Sequence, residues 1–238
     1  MLKITNFSKS YKSDKKAVDG LNIQVERGDI YGFIGHNGAG KTTTIRAIAG
    51  VLDFEEGEIT IDGISIRKDP VACKKQLAYI PDNPDLYEHL TGIGYLNFIG
   101  DIYEVNKFDR ETLIERYSDA FELTQNLGDA ISSYSHGMKQ KLAIIAALIH
   151  RPRLLILDEP FVGLDPKAAF TLKTIMSQVC QEGCAIFFST HVLEVAEKLC
   201  NKIAIIKNGK LVVSGTTAEV KGDSSLEEVF LELIEKKE

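Results

Sequence analysis

No run of apolar residues in this sequence approaches the roughly 20 needed to cross a bilayer. The longest, LAIIAALI at 142–149, is far too short for a span. The opening residues, MLKITNFSKSYK, lack the apolar stretch of a secretory leader, so the interior of a cell is the expected compartment. Cysteine is sparse as well. Cys73, Cys180, Cys184 and Cys200 show no CxxC spacing, which argues for reduced, partly buried thiols and against a disulfide frame or a zinc site. An excess of positive charge is also missing: 28 Lys and Arg against 34 Asp and Glu leave a net −6. That balance lacks the basic footprint by which proteins hold phosphodiester backbones, so no nucleic-acid partner is expected. Nor is there an internal repeat, a low-complexity tract or a Pro/Gly/Ser linker to divide the 238 residues into separate beads.

What remains is the make-up of a folded chain, 44% hydrophobic and 26% charged, with enough length for a substantial core. Short β-rich pieces come first: LKITNF, LNIQVE at 21–26, IYGFIG at 30–35 and EITID ending at Asp62, with one helix expected from Lys41 to about Leu52. From about Leu86 to Leu148 apolar residues recur every three or four positions, which predicts a helical part. After Pro152 continuous apolar runs return, LLILD, AIFFS and IAIIK, alternating with helical segments; that alternation predicts buried parallel strands with helices on both faces. The tail LEEVFLELIEKKE predicts a closing amphipathic helix.

Residues 35–42, Gly35-His36-Asn37-Gly38-Ala39-Gly40-Lys41-Thr42, fill every fixed position of GxxxxGK[ST] between a β-rich segment and a helix-like run. Glycines let successive N–H groups turn inward onto phosphate oxygens, and a helix starting near Lys41 aims the positive end of its dipole at the same anion. Lys41 is expected on the β- and γ-phosphates and Thr42 on Mg²⁺. The apolar run 154–157 ends in Asp158 and Glu159, which divide naturally into a metal-side carboxylate and a general base for the attacking water. Alone, that acidic pair would be a solvated strand end; beside a complete cradle it is chemistry. Asn106-Lys107-Phe108-Asp109 matches the NKxD string of GTPases, but it follows a helix-like segment instead of a buried strand, and no DxxG stands after Asp158. It is expected to be a loop between helices.

Tyr134-Ser135-His136-Gly137-Met138-Lys139-Gln140 resembles the LSGGQ signature of ABC transporter ATPases. With it, in the family's order, come the phosphate loop at 35–42, the acidic strand at 154–159, Gly163-Leu164-Asp165 like the D-loop and His191 like the switch histidine of Ser189-Thr190-His191. The resemblance runs from Tyr11 to the tail. It implies an α/β P-loop NTPase core with a mostly parallel sheet, an N-terminal antiparallel β part and a helical subdomain: residues 1–85 and 150–238 as core, 86–149 as the helical part. It further implies ATP and Mg²⁺ as cofactors, with Tyr11 stacked on adenine and Thr43 beside Thr42 on the nucleotide. Glu159 and His191 act on the water, and a head-to-tail homodimer or heterodimer forms in which Ser135 and Gly137 meet the γ-phosphate of the opposite site. Asp165 is expected to cross the same interface.

Two departures stand out. Asp82, in Tyr79-Ile80-Pro81-Asp82, occupies the place where the family usually has Gln; as a carboxylate it suits Mg²⁺, yet it donates no hydrogen bond. Tyr134, His136 and Met138 replace Leu, Gly and Gln of the signature, and this YSxGMxQ form resembles exporter ATPases. The expected function is ATP hydrolysis driving a permease on a separate chain, with this subunit peripheral on the cytoplasmic face of the membrane. The alternative is a soluble ABC-type ATPase acting on ribosomes or DNA.

Overall fold

Five consecutive apolar residues, Ile30–Ile34, are all buried, because the strand they form lies in the middle of a sheet with side chains packed on both faces. The computed structural model describes residues 1–11 and 16–235, with the side chains of 234 and 235 outside that description. In chain order the elements are β1 (Leu2–Ser10), β2 (Lys16–Val25), β3 (Ile30–Ile34), α1 (Lys41–Ile48), β4 (Glu56–Ile61), β5 (Ile64–Ser65), α2 (Pro70–Lys74) and β6 (Leu77–Ile80). Then follow α3 (Gly92–Ile102), α4 (Lys107–Ala120), α5 (His136–Leu148), β7 (Leu154–Asp158), α6 (Pro166–Gln181) and β8 (Ala185–Thr190). The chain closes with α7 (Leu193–Leu199), β9 (Lys202–Lys207), β10 (Lys210–Thr216), α8 (Thr217–Lys221) and α9 (Leu226–Glu235).

Two sheets form. The first, ordered β2-β1-β4-β5, is antiparallel, and the second runs β10-β9-β3-β8-β7-β6. In the second, β9, β3, β8, β7 and β6 are parallel neighbours and β10 joins β9 antiparallel. Alternate residues of each central strand feed two cores. Tyr31, Phe33, Leu154 and Ile156 face the antiparallel sheet and α1, whereas Ile34, Leu155 and Leu157 face the helical segments. After β6 the chain leaves the sheet through α3, α4 and α5 and returns as β7, paired with β6 from Leu77↔Leu154 onward.

Four elements differ from what the sequence predicts. Helix α1 ends at Ile48 instead of near Leu52, because Gly50 takes a left-handed φ of 66° that ends the helix. The helix-like spacing from Leu86 does not begin a helix until Gly92, where the Thr91 hydroxyl accepts the Gly94 N–H. Asn106 caps α4 by accepting the Asp109 N–H, so Lys107, Phe108 and Asp109 are a first helical turn and not a loop. Strand β10 carries only a partly buried alternation at one edge, and the apolar-run reading missed it. In the tail, α9 is observed to Glu235; residues 236–238 lie outside the described residues.

Candidate functional site

The parallel strands β3, β7 and β8 end side by side, with Ile34 paired to Thr190 and Asp158 to Ser189. Open α/β sheets bind ligands at such carboxyl ends. The loop after β3 enters α1 through Gly40, whose φ is 110° and whose place no side-chain-bearing residue could take, since a Cβ would sit 2.7 Å from the Ala17 carbonyl oxygen. No side chain caps α1, so the N–H groups of its first turn and their dipole face the cavity at the loop.

That cavity, about 540 Å³, is lined by Tyr11, Asn37, Gly38, Gly40, Lys41, Thr42, Thr43, Asp82, Asp158 and Glu159. Gly35, His36 and Ala39 complete the loop, with the Ala39 N–H donating to the His36 carbonyl at 3.1 Å. Lys41, nearly buried, lies back across the loop: its Nζ donates to the Gly35 carbonyl at 2.7 Å and stands 3.5 Å from Glu159 Oε1. The Tyr11 hydroxyl meets Thr43 Oγ1 at 3.2 Å and the residue stays half exposed at the mouth.

The two adjacent carboxylates have different surroundings. Asp158 is 1% exposed; burial pushes its carboxyl above the ordinary range despite hydrogen bonds from Ser189 and Thr42, with Asp82 and Glu159 adding repulsion. Its Oδ1 accepts from Ser189 Oγ at 2.5 Å, while its Oδ2 is buried without a hydrogen-bond partner. Glu159 sits in the left-handed region at φ 49°, a conformation that costs roughly 1–3 kcal/mol outside glycine. Its N–H donates to Ser189 Oγ at 3.0 Å, and its Oε2 is 2.9 Å from His191 Nδ1. Ser189 therefore ties the Asp158 carboxylate to the Glu159 backbone, a link that the Ser189-Thr190-His191 string alone does not reveal.

The fit to a divalent cation follows from these contacts. A buried carboxylate with one orphan oxygen, next to the Thr42 hydroxyl and across from Asp82, offers hard oxygen donors where a positive charge would relieve the cost of burial. Asp82 also accepts the Asn83 N–H at 3.0 Å, so it shapes its own turn.

Ser135 and Gly137 are not brought into this cavity. Ser135 caps α5 by accepting the Met138 N–H at 3.2 Å. The His136 ring packs on Gly163, where any Cβ would strike it at 2.5 Å, so the bulk that replaces the usual glycine is accommodated within the chain. Asp165 caps α6 and pairs with Lys141 at 3.2 Å. All four cysteines are buried and unbridged.

Known proteins are similar to this chain in sequence and fold. A sequence model described as ABC transporter matches residues 18–162. The ABC-type transporter ATP-binding protein EcsA of Bacillus subtilis (strain 168) is 36% identical over 218 residues, covering 90% of this chain and 88% of the relative. The bacitracin transport ATP-binding protein BcrA of Bacillus licheniformis is 38% identical over 213 residues, covering 89% of this chain and 68% of BcrA. A solved structure of an ATP binding subunit of an ABC transporter superimposes with a TM-score of 0.95 at 34% identity, covering 99% of this chain and 100% of that one.

Proposed function

The chain belongs to the ABC transporter family as an ATP-binding, ATP-hydrolysing subunit, and on that footing we propose how its residues divide the work. The observation that carries the reading is the meeting of Lys41, Asp158, Glu159 and the phosphate loop on one cavity at the ends of β3 and β7, with His191 bonded to Glu159. Residues 35–43 cradle the triphosphate, Lys41 spans its β- and γ-phosphates and Tyr11 stacks on the adenine. Thr42, Asp158 and Asp82 hold Mg²⁺, which when bound neutralises charge on the phosphate oxygens. Glu159 takes a proton from water as the water oxygen bonds to the γ-phosphorus and the bond to the bridging oxygen of ADP breaks, releasing phosphate. His191 holds the Glu159 carboxylate in line.

Ser135 and Gly137 lie outside the cavity of their own chain. This supports a head-to-tail dimer, of two copies or of this chain and a close relative, in which the N-terminus of α5 closes the site of the other subunit, with Asp165 at the same seam. Residues 1–85 and 150–238 act as the catalytic core and 86–149 as the part that receives a transmembrane permease. Support for that contact is a cleft of about 220 Å³ between β6 and the helices, lined by Tyr79, Tyr95, Ile99, Tyr103, Ala143 and His150, with exposed Tyr87 and Phe98 beside it. No helix of the described residues is long and apolar enough to cross a membrane, in keeping with a peripheral place on the cytoplasmic face. Likeness to a bacitracin transport subunit and the YSxGMxQ signature lean the direction towards export.

The test is Glu159→Gln. It keeps ATP affinity, lowers turnover by about 10²–10⁴-fold and accumulates an ATP-bound dimer on size-exclusion chromatography. Turnover near the wild-type rate would remove Glu159 from its role.

A further inference from the structure

The phosphate loop is gripped at both ends and open in the middle. A Cβ on Gly35 would sit 2.6 Å from the Ile206 carbonyl, and one on Gly40 2.7 Å from that of Ala17, whereas one on Gly38 would meet nothing within 4 Å. Between those ends, the side chain of His36 leaves the cavity and packs edge-on against Phe230 of α9, the ring centroids 5.1 Å apart at 60°. His36 matters through its backbone. Its carbonyl accepts the Ala39 N–H at 3.1 Å and Lys41 Nζ at 3.4 Å, so displacement of His36 moves one of the two carbonyls that hold Lys41, the other being that of Gly35 at 2.7 Å.

Helix α9 is itself anchored. Leu226 is fully buried and Phe230 6% exposed. The Leu226 N–H donates to Glu197 Oε2 at 2.9 Å, and the other Glu197 oxygen pairs with Lys221 at 2.8 Å. Glu197 belongs to α7, the helix that begins two residues after His191. One short helix thus touches both His36 of the phosphate loop and the helix that follows His191.

We infer that Phe230 is a positioning residue for nucleotide binding, holding the middle of the phosphate loop through the His36 ring and coupling that loop through α9 to the helix after His191. The inference rests on the loop being the ATP cradle.

ADP binding to the full chain, measured by isothermal titration calorimetry, isolates loop geometry from dimer formation. Phe230→Ala weakens ADP by about three- to tenfold, the factor corresponding to one aromatic edge contact, and raises the KM for ATP similarly while kcat stays within about twofold. Phe230→Tyr, which keeps the ring, restores affinity. His36→Ala removes the same contact from the exposed side without opening the core, gives the same weakening, and adds nothing when combined with Phe230→Ala. Unchanged ADP affinity in His36→Ala, or fully additive losses in the double variant, overturns the proposal, as does a Phe230→Ala that lowers only the melting temperature and kcat. Lys41→Ala separates this from the reading beneath it: retained ADP binding there refutes the cradle itself.

Discussion

His191 Nδ1 lies 2.9 Å from Glu159 Oε2, joining the ends of two neighbouring parallel strands through their side chains. The bond orients a carboxylate whose own backbone is strained. His191→Ala should therefore lower kcat by about 10²-fold with the KM for ATP nearly unchanged, as measured by steady-state phosphate release. An equal fall in nucleotide affinity would assign His191 to binding instead.

Ser189 tests whether the two carboxylates act as one unit. Its hydroxyl donates to Asp158 and accepts from the Glu159 N–H. Ser189→Ala leaves a buried carboxylate oxygen and a backbone N–H without partners, costing about 1–3 kcal/mol of stability. Urea denaturation reads that loss. Turnover falls by about tenfold as Glu159 loses its orientation.

Asp82 lines the same cavity as Asp158 and Glu159, which the proposed reading gives to Mg²⁺ and ATP. Asp82→Ala should raise the Mg²⁺ concentration for half-maximal hydrolysis by about tenfold, while Asp82→Gln restores it. A magnesium titration of the Ala variant that overlays the wild type would leave Asp82 only its turn with Asn83.

His150 gives a pH dependence of known sign. It stacks on Tyr103, centroids 3.7 Å apart and planes within 7°, and burial lowers its pKa from 6.5 to about 4. The unfolded chain takes up a proton in that window and the fold does not. The stability contributed by the neutral ring is therefore complete above 6.5, declines as pH falls towards about 4, and changes no further below. The interval corresponds to ~3 kcal/mol at most. His150→Phe keeps a stacked ring and removes this component. Denaturation of both proteins at about pH 7.5 and about pH 5 measures the difference. Equal acid sensitivity in the two would show that His150 is protonated without cost.

Residues 35–42, 154–159 and 189–191 are legible in the sequence because each combines a fixed residue type with a fixed neighbouring element. The phosphate loop needs a strand before it and a helix after it, and β3 and α1 supply them. Ser189 was not readable in its role, since register alone sets it opposite Asp158. The left-handed Glu159 was equally hidden, because strain arises from the fold around a residue and not from its type. Strand β10 escaped for a different reason: one face is exposed, so no continuous apolar run marks it. The start of α3 is not legible from spacing, which reports which residues are buried, whereas Thr91 decides where the helix begins.

The pairing of β6 with β7 closes the sheet beneath everything the chain does between Ile80 and Leu154. Residues 92–126 hang from that seam, and none of them lines the cavity at the end of β3. On the proposed reading, resurfacing them would change which permease the subunit fits and leave the residues of the cavity as they are.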